Sequence, residues 1–348
     1  MKLKFFTVYS SLLTVNSSLL TVNSSLLLLL ACLLMASCEA SPRNGHRVGD
    51  LFYKITVDAP QGGEVSVVGC DEECVSISVP ERVSIDGATY NVTGIGKGAF
   101  RDRIFLHKVA LPATLTSIGK EAFQGCARLE ALTLPEGVKE IGGRAFHRCE
   151  ALNSVTMPRR LEKLEEYTFY ECRSLDFVAI PRGVREIGEG AFAGCSSLDS
   201  VRVPEGVESI GESAFSGCPS LGGVTLPRSV RTIGRYAFFG CESMDGITIP
   251  EGVKQICEGT FCKCKSLHAL TLPKSLEHLD KWSFWEAPSL TDVYCRAAEP
   301  PSLHGDVFDN NIATLHVPAA SVEAYSKGKW GKAFGKMGKT LPGLCPSW

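Results

Sequence analysis

Histidine is scarce in this chain, and its placement excludes more than its number does. His46, His107, His147, His268, His278, His304 and His316 share no position in the pattern described below. Scattered imidazoles give no convergent set of metal ligands or acid–base partners. His-Glu-x-x-His, Gly-x-Ser-x-Gly and Gly-rich phosphate-loop patterns are missing, so metalloprotease, nucleophile-elbow and phosphate-cradling chemistry have no local signature. The Asp and Glu residues are spread over outward positions, without the clustered acids that a polysaccharide-acting enzyme needs. The expectation is a protein that is not an enzyme and has no cofactor. Charge of one sign is short as well: 36 Lys and Arg stand against 38 Asp and Glu, a net −2 over 348 residues. Without a basic excess, no nucleic-acid partner is expected. Beyond residue 38 no apolar run is long enough to cross a bilayer.

Repetition is what the chain has in excess. Phe100, Phe123, Phe146, Phe169, Phe192, Phe215, Phe238, Phe261 and Phe284 follow one another every 23 residues. Pro112, Pro135, Pro158, Pro181, Pro204, Pro227, Pro250 and Pro273 keep the same interval, as do Cys126, Cys149, Cys172, Cys195, Cys218, Cys241 and Cys264. A period of this length means a solenoid, in which each unit, or rung, buries its apolar side only by stacking on its neighbours.

The unit is clearest as Pro204-x-x-Val207-x-x-Ile210-Gly211-x-x-Ala214-Phe215-x-x-Cys218-x-x-Leu221-x-x-Val224-x-Leu226. The alternation Val224-x-Leu226 predicts a short strand with both apolar residues inward, paired in parallel with its neighbours. Proline after the strand ends the ladder and starts a turn. The three-residue beat from Ala214 to Leu221 fits a short helix or 3-10 turn. Glycine fills the Gly211 place in six of nine units, which predicts a positive φ there, with strain or rearrangement at the exceptions Glu165, Cys257 and Asp280.

These landmarks resemble the BspA-like leucine-rich repeat family of surface proteins from Bacteroides-type bacteria. The pattern Ile-Gly-x-x-Ala-Phe-x-x-Cys-x-x-Leu, then a strand and proline, recurs from Gly96 to Pro273. The fold class expected is therefore an α/β repeat solenoid of leucine-rich-repeat type: a parallel β-sheet with 23-residue rungs, short helical or 3-10 turns, and a cap at each end. The resemblance implies display on a cell surface and binding of other macromolecules. Its implied partners are host matrix or cell-surface proteins, or other bacterial surfaces. A non-catalytic structural or accessory envelope protein is the alternative.

Residues 1–37 read as an export signal, with Lys2 and Lys4 ahead of an apolar run densest at 26–35. The run ends at Leu34-Met35-Ala36-Ser37-Cys38, which resembles a bacterial lipobox. Lipidation of Cys38 would hold the protein at a membrane through its N-terminus; a plain cut near Ala36 is the other route. Residues 38–50 read as a polar tether, 51–95 as an N-terminal cap, 96–290 as the solenoid and 291–348 as a C-terminal capping module. The cap carries alternating strands and an extra hairpin around Asp86-Gly87. In the C-terminal module, Trp330 and Phe334 read as core of the cap.

The repeated cysteines invite metal or redox readings. Parallel side chains point the same way, and free cysteine is among the most buried residue types. They are read as packed thiols. Cys257, which replaces the repeated glycine, and the extra Cys262 break the pattern beside the column's Cys264. They leave open a Cys257–Cys262 disulfide, or a zinc site completed by His268, at a spacing that matches no known zinc motif. Cys70 and Cys74 can pair only around a tight turn.

Recognition in a solenoid belongs to the variable outward positions. The outward strand column is mostly threonine, which suits exposed sheet intrinsically. More specific are three aromatic pairs flanking the repeated phenylalanine: Tyr167 and Tyr170, Tyr236 and Phe239, Trp282 and Trp285. Outward-facing, they are candidate interface anchors; inward-facing, they are packing of the turn.

Overall fold

A computed structural model describes residues 45–59, 62–308, 313–334 and 336–340. Cys38 and the expected leader lie outside the described residues. Each rung contributes two short strands to the column rather than the one expected. In the Phe215 rung these are Ser209–Ile210 and Gly223–Thr225. Both pair in parallel with their equivalents one period away, Ile187↔Ile210 and Val201↔Val224. One ladder runs through Ile95, Ile118 and Ile141, then Leu164, Ile187, Ile210 and Ile233, then Ile256, Leu279 and Leu303. The other runs through Ile77 and Val109 and on to Leu315 and Met337.

The segment from Ala214 to Leu221 closes the third side. Its hydrogen bonds alternate between the rung and its neighbour. Ala214 and Ser216 N–H donate to the carbonyls of Gly211 and Ser213, three residues back. Ser213, Phe215 and Gly217 N–H donate to Arg235, Ala237 and Phe239 of the next rung, at 2.7–2.8 Å. This is a chain of turns, and a continuous helix is prevented by a left-handed residue on each side of the phenylalanine. Ser213 and Gly217 have φ of 54° and 68°. The same two places are left-handed in all nine rungs, from Gly98 and Asp102 to Trp282 and Glu286. For a non-glycine residue that costs roughly 1–2 kcal/mol, and it persists because the stacking on both sides dictates it.

The repeated glycine serves a different purpose from the one expected. Gly211 is not among the positive-φ residues. A Cβ on it would lie 2.7 Å from Glu189 N and from Gly188 C, both backbone atoms of the preceding rung. Close approach between rungs, and not handedness, requires it. Glu165, Cys257 and Asp280 are not left-handed either. These three rungs differ from the others at a second place, three residues on, where alanine becomes Thr168, Thr260 and Ser283. Thr168 and Thr260 donate to the carbonyls of Glu165 and Cys257 at 2.7 and 2.8 Å, and Ser283 donates to that of Asp280. The swap was visible in the sequence as a paired change.

The core is a stack of phenyl rings from Phe100 to Phe284, continued by Phe308, with centroids 5.0–5.5 Å apart. Burying each ring contributes about 1.5–3 kcal/mol, and the ring contacts add roughly 0.5–1.5 kcal/mol per pair. At the N-terminal end, strands β1 (His46–Val48), β2 (Leu51–Val57) and β3 (Glu64–Cys70) form an antiparallel sheet, and β3 joins the column through Val67↔Ile95. Strand β1 takes up residues read as tether. Strand β4 (Ser76–Ser78) heads the other ladder, and the hairpin of β5 (Arg82–Ile85) and β6 (Ala88–Ile95) turns on left-handed Asp86 and Gly87. At the other end lie helices α1 (Val322–Ser326) and α2 (Gly328–Ala333). They bury Tyr325, Trp330 and Phe334, and the ring of Phe308 meets Trp330 at 5.9 Å and Phe334 at 4.9 Å.

Candidate contact surface

The six aromatic residues fall in two columns on the turn side of the stack, two residues before and one after the core phenylalanine. Tyr167, Tyr170, Tyr236, Phe239 and Trp285 are half-buried, and Trp282 is exposed at 40%. Within a rung the pairs meet edge to face, at 5.7 Å for Tyr167–Tyr170 and 6.0 Å for Tyr236–Phe239. The Phe169 and Phe238 rungs are three periods apart, about 15 Å along the column.

Each of the two tyrosines in the first column lies across a glycine of the next rung. A Cβ at Gly190 or Gly259 would collide with the ring of Tyr167 or Tyr236. The hydroxyls donate to Glu189 and, at 2.7 Å, to Glu258. The Tyr167 hydroxyl is pushed up to about 12, first by its bond to Glu189 and then by burial. The Glu258 carboxyl is held below its usual range by Tyr236 and by Lys281, whose Nζ lies 3.0 Å away. Tyr167 and Tyr236 thus fasten rungs together while staying half-buried.

Cations line the same side. Arg144 stands 5.2 Å over the ring of Tyr167, Lys263 5.4 Å over Phe239 and Lys281 4.3 Å over Trp282. His147 stacks on Tyr170 at 4.8 Å, and burial holds its imidazole below the usual value. Aromatic rings and cations thus interleave along this side of the column. Phe177, 57% exposed on the strand side, was overlooked in the sequence although its column is otherwise small or polar.

The model of the BspA type leucine-rich repeat region matches residues 93–222 and 185–314, well over half of the chain. The chain belongs to the BspA-type leucine-rich repeat family. Among solved structures, the leucine-rich repeat protein of T. pallidum is 32% identical; the match covers 58% of this chain and 91% of that one, with a TM-score of 0.51. A leucine-rich repeat protein from Bacteroides ovatus is 21% identical over 85% of this chain and 100% of its own, at a TM-score of 0.46. A leucine rich cell surface protein from Faecalibacterium prausnitzii is 19% identical over 85% and 94%, at 0.39. Comparison with curated proteins gives no match.

The thiols of this BspA-type column are structural. Each donates to the carbonyl of a phenylalanine 26 residues earlier, from Cys126 to Phe100 at 3.0 Å through Cys264 to Phe238 at 3.4 Å. Burial pushes all seven above the ordinary thiol value of 9.0. Cys257 and Cys262 are free thiols. The zinc reading does not assemble: Cys264 is bonded within the core and His268 faces Asp245 at 2.8 Å. Among the described residues no group of three His, Cys, Asp or Glu is placed to hold a metal ion, and no helix is long and apolar enough to cross a membrane.

The other side of the BspA-type column carries a shallow groove of about 1160 Å³ with Lys120, Glu140, Glu162, Lys163 and Arg185 along it. Its charges alternate and pair between rungs, Lys163 with Glu186 and Arg185 with Glu208, both at 3.2 Å. Exposed pairs of this kind contribute roughly 0–1 kcal/mol each, and their mixed sign gives no stripe for a ligand of one charge.

Proposed function

We propose that the protein is exported, anchored through lipid on Cys38, and displayed at a bacterial cell surface, where it binds other macromolecules without catalysis. Host matrix proteins, host cell-surface proteins and other bacterial surfaces are the partner classes. The observation that carries the reading is the turn-side arrangement of Tyr167, Tyr170, Tyr236, Phe239, Trp282 and Trp285, half-buried or exposed and flanked by Arg144, Lys263 and Lys281. Partly exposed, rotamer-poor aromatics beside cations form contact area at low entropic cost. The fold supplies rigidity, so little ordering is needed on binding.

The test is a binding screen of the purified chain on arrays of matrix proteins, glycans and bacterial surfaces, repeated with Trp282→Ala/Trp285→Ala. A loss of tenfold or more in affinity for the captured partner is expected, about 1.4 kcal/mol or above. Unchanged affinity would remove the aromatic face from the contact.

A further inference from the structure

We propose that Cys70 and Cys74 form a disulfide that replaces the missing core at the first corner of the column. The structure holds both as free thiols, with their Sγ atoms 2.6 Å apart, closer than unbonded sulfur atoms pack. Cys70 ends β3, which heads the ladder of Ile95, and Cys74 lies two residues before β4, which heads the ladder of Val109. Their bond therefore joins the two ladder heads directly. In the Phe215 rung the same corner spans 211–222, with Ala214, Phe215, Cys218 and Leu221 buried in it. In the cap it spans only 71–75, of which only Cys74 packs against the core. A corner that cannot bury side chains needs another constraint, and a short covalent loop supplies one.

The pairing is also selective. In the first rung the column position of the cysteines is taken by Arg103, whose Nη2 lies 3.5 Å from the Cys70 carbonyl. The nearest column thiol, Cys126, is committed to Phe100 O at 3.0 Å. Burial pushes the Cys70 thiol up to about 12, which makes it a poor leaving group and its disulfide resistant to reduction. The partly exposed Cys74 attacks first. Its thiolate displaces one R–S⁻ from a donor disulfide R–S–S–R, forming a mixed disulfide. Cys70 then gives up its proton, attacks the Cys74 sulfur and displaces the second R–S⁻. The chain loses two hydrogens and two electrons, and the donor gains them as two R–SH.

The experiment is alkylation of the full chain in the producing cells before lysis, then trypsin digestion and mass spectrometry. Residues 55–82 form one tryptic peptide holding both cysteines and no other. It is expected unalkylated and lighter by about 2 Da than the reduced peptide, two hydrogens, while the column cysteines alkylate fully once unfolded without reductant. Alkylated Cys70 and Cys74, or a bond from either to a different cysteine, would overturn the proposal. Hydrogen exchange of the purified wild-type and Cys74→Ser chains tests the corner itself. Faster exchange over 64–78 in the variant, with 204–226 unchanged, is the expected result. Equal exchange over 64–78 would remove the structural role.

Discussion

The thiol of Cys218 donates to the carbonyl oxygen of Phe192 across 3.2 Å, and the backbone N–H of Cys195 donates to that same oxygen from 3.2 Å. One carbonyl thus closes its own rung and ties it to the next. Cysteine fits the place because it is small, apolar enough to bury, and still a donor.

An alkaline weakness follows from these thiols. The unfolded thiol titrates near 9.0, while burial pushes Cys126 and Cys218 up to about 12 and the others upward as well. Above pH 9 the unfolded chain sheds protons that the folded chain keeps. Stability is therefore fully present below pH 9 and falls as pH rises towards 12, by about 1.4 kcal/mol per pH unit for each thiol. Urea melts at stepped pH measure the slope, and Cys218→Ala should make it shallower by one thiol.

Two substitutions in one rung separate handedness from close approach. Gly211→Ala drives a Cβ to 2.7 Å from backbone atoms that cannot yield, and a loss of about 2–3 kcal/mol is expected. Ser213→Gly relieves a left-handed residue at φ 54° and should gain about 0.5–1 kcal/mol. Equilibrium denaturation of the two variants gives both signs.

The tyrosine laid over a glycine predicts strong coupling. Gly259→Ala is expected to cost about 2–4 kcal/mol, because its Cβ meets the ring of Tyr236 and its φ is 60°. With Tyr236→Gly already in place, the same change should cost only about 1–2 kcal/mol, the backbone part alone. A double-mutant cycle on stability measures the difference.

The hydroxyl of Thr260 is tied to the loss of glycine at Cys257. It donates to Cys257 O at 2.8 Å and to Gly234 O at 3.3 Å. Thr260→Ala should cost about 1–2 kcal/mol and less when combined with Cys257→Gly, which restores the common pattern. Denaturation midpoints of the single and double variants are the measurement.

The period, the buried faces and the parallel stacking were legible because recurrence reports directly which residues share an environment: Phe215, Cys218 and Leu221 are all fully buried. Backbone sign was not legible. Ser213, Tyr236 and Trp282 are left-handed without glycine, since stacking imposes a conformation that propensity opposes. Gly211, the residue that suggested left-handedness, is there for lack of a side chain. The contact surface was legible as residue types at fixed offsets. The second role of Tyr167 and Tyr236 as fasteners emerged only from the glycines beneath them, although Gly190 and Gly259 follow them at the same repeat position.

Presentation at a cell surface is the claim on which a binding function depends. Intact producing cells treated with external protease, alongside fractionated cells, test it for the wild type and for Cys38→Ala. The account predicts a membrane-held wild type that external protease removes, and a Cys38→Ala chain released from the membrane. Wild-type chain protected from protease in intact cells, or Cys38→Ala retained as fully as wild type, would contradict it.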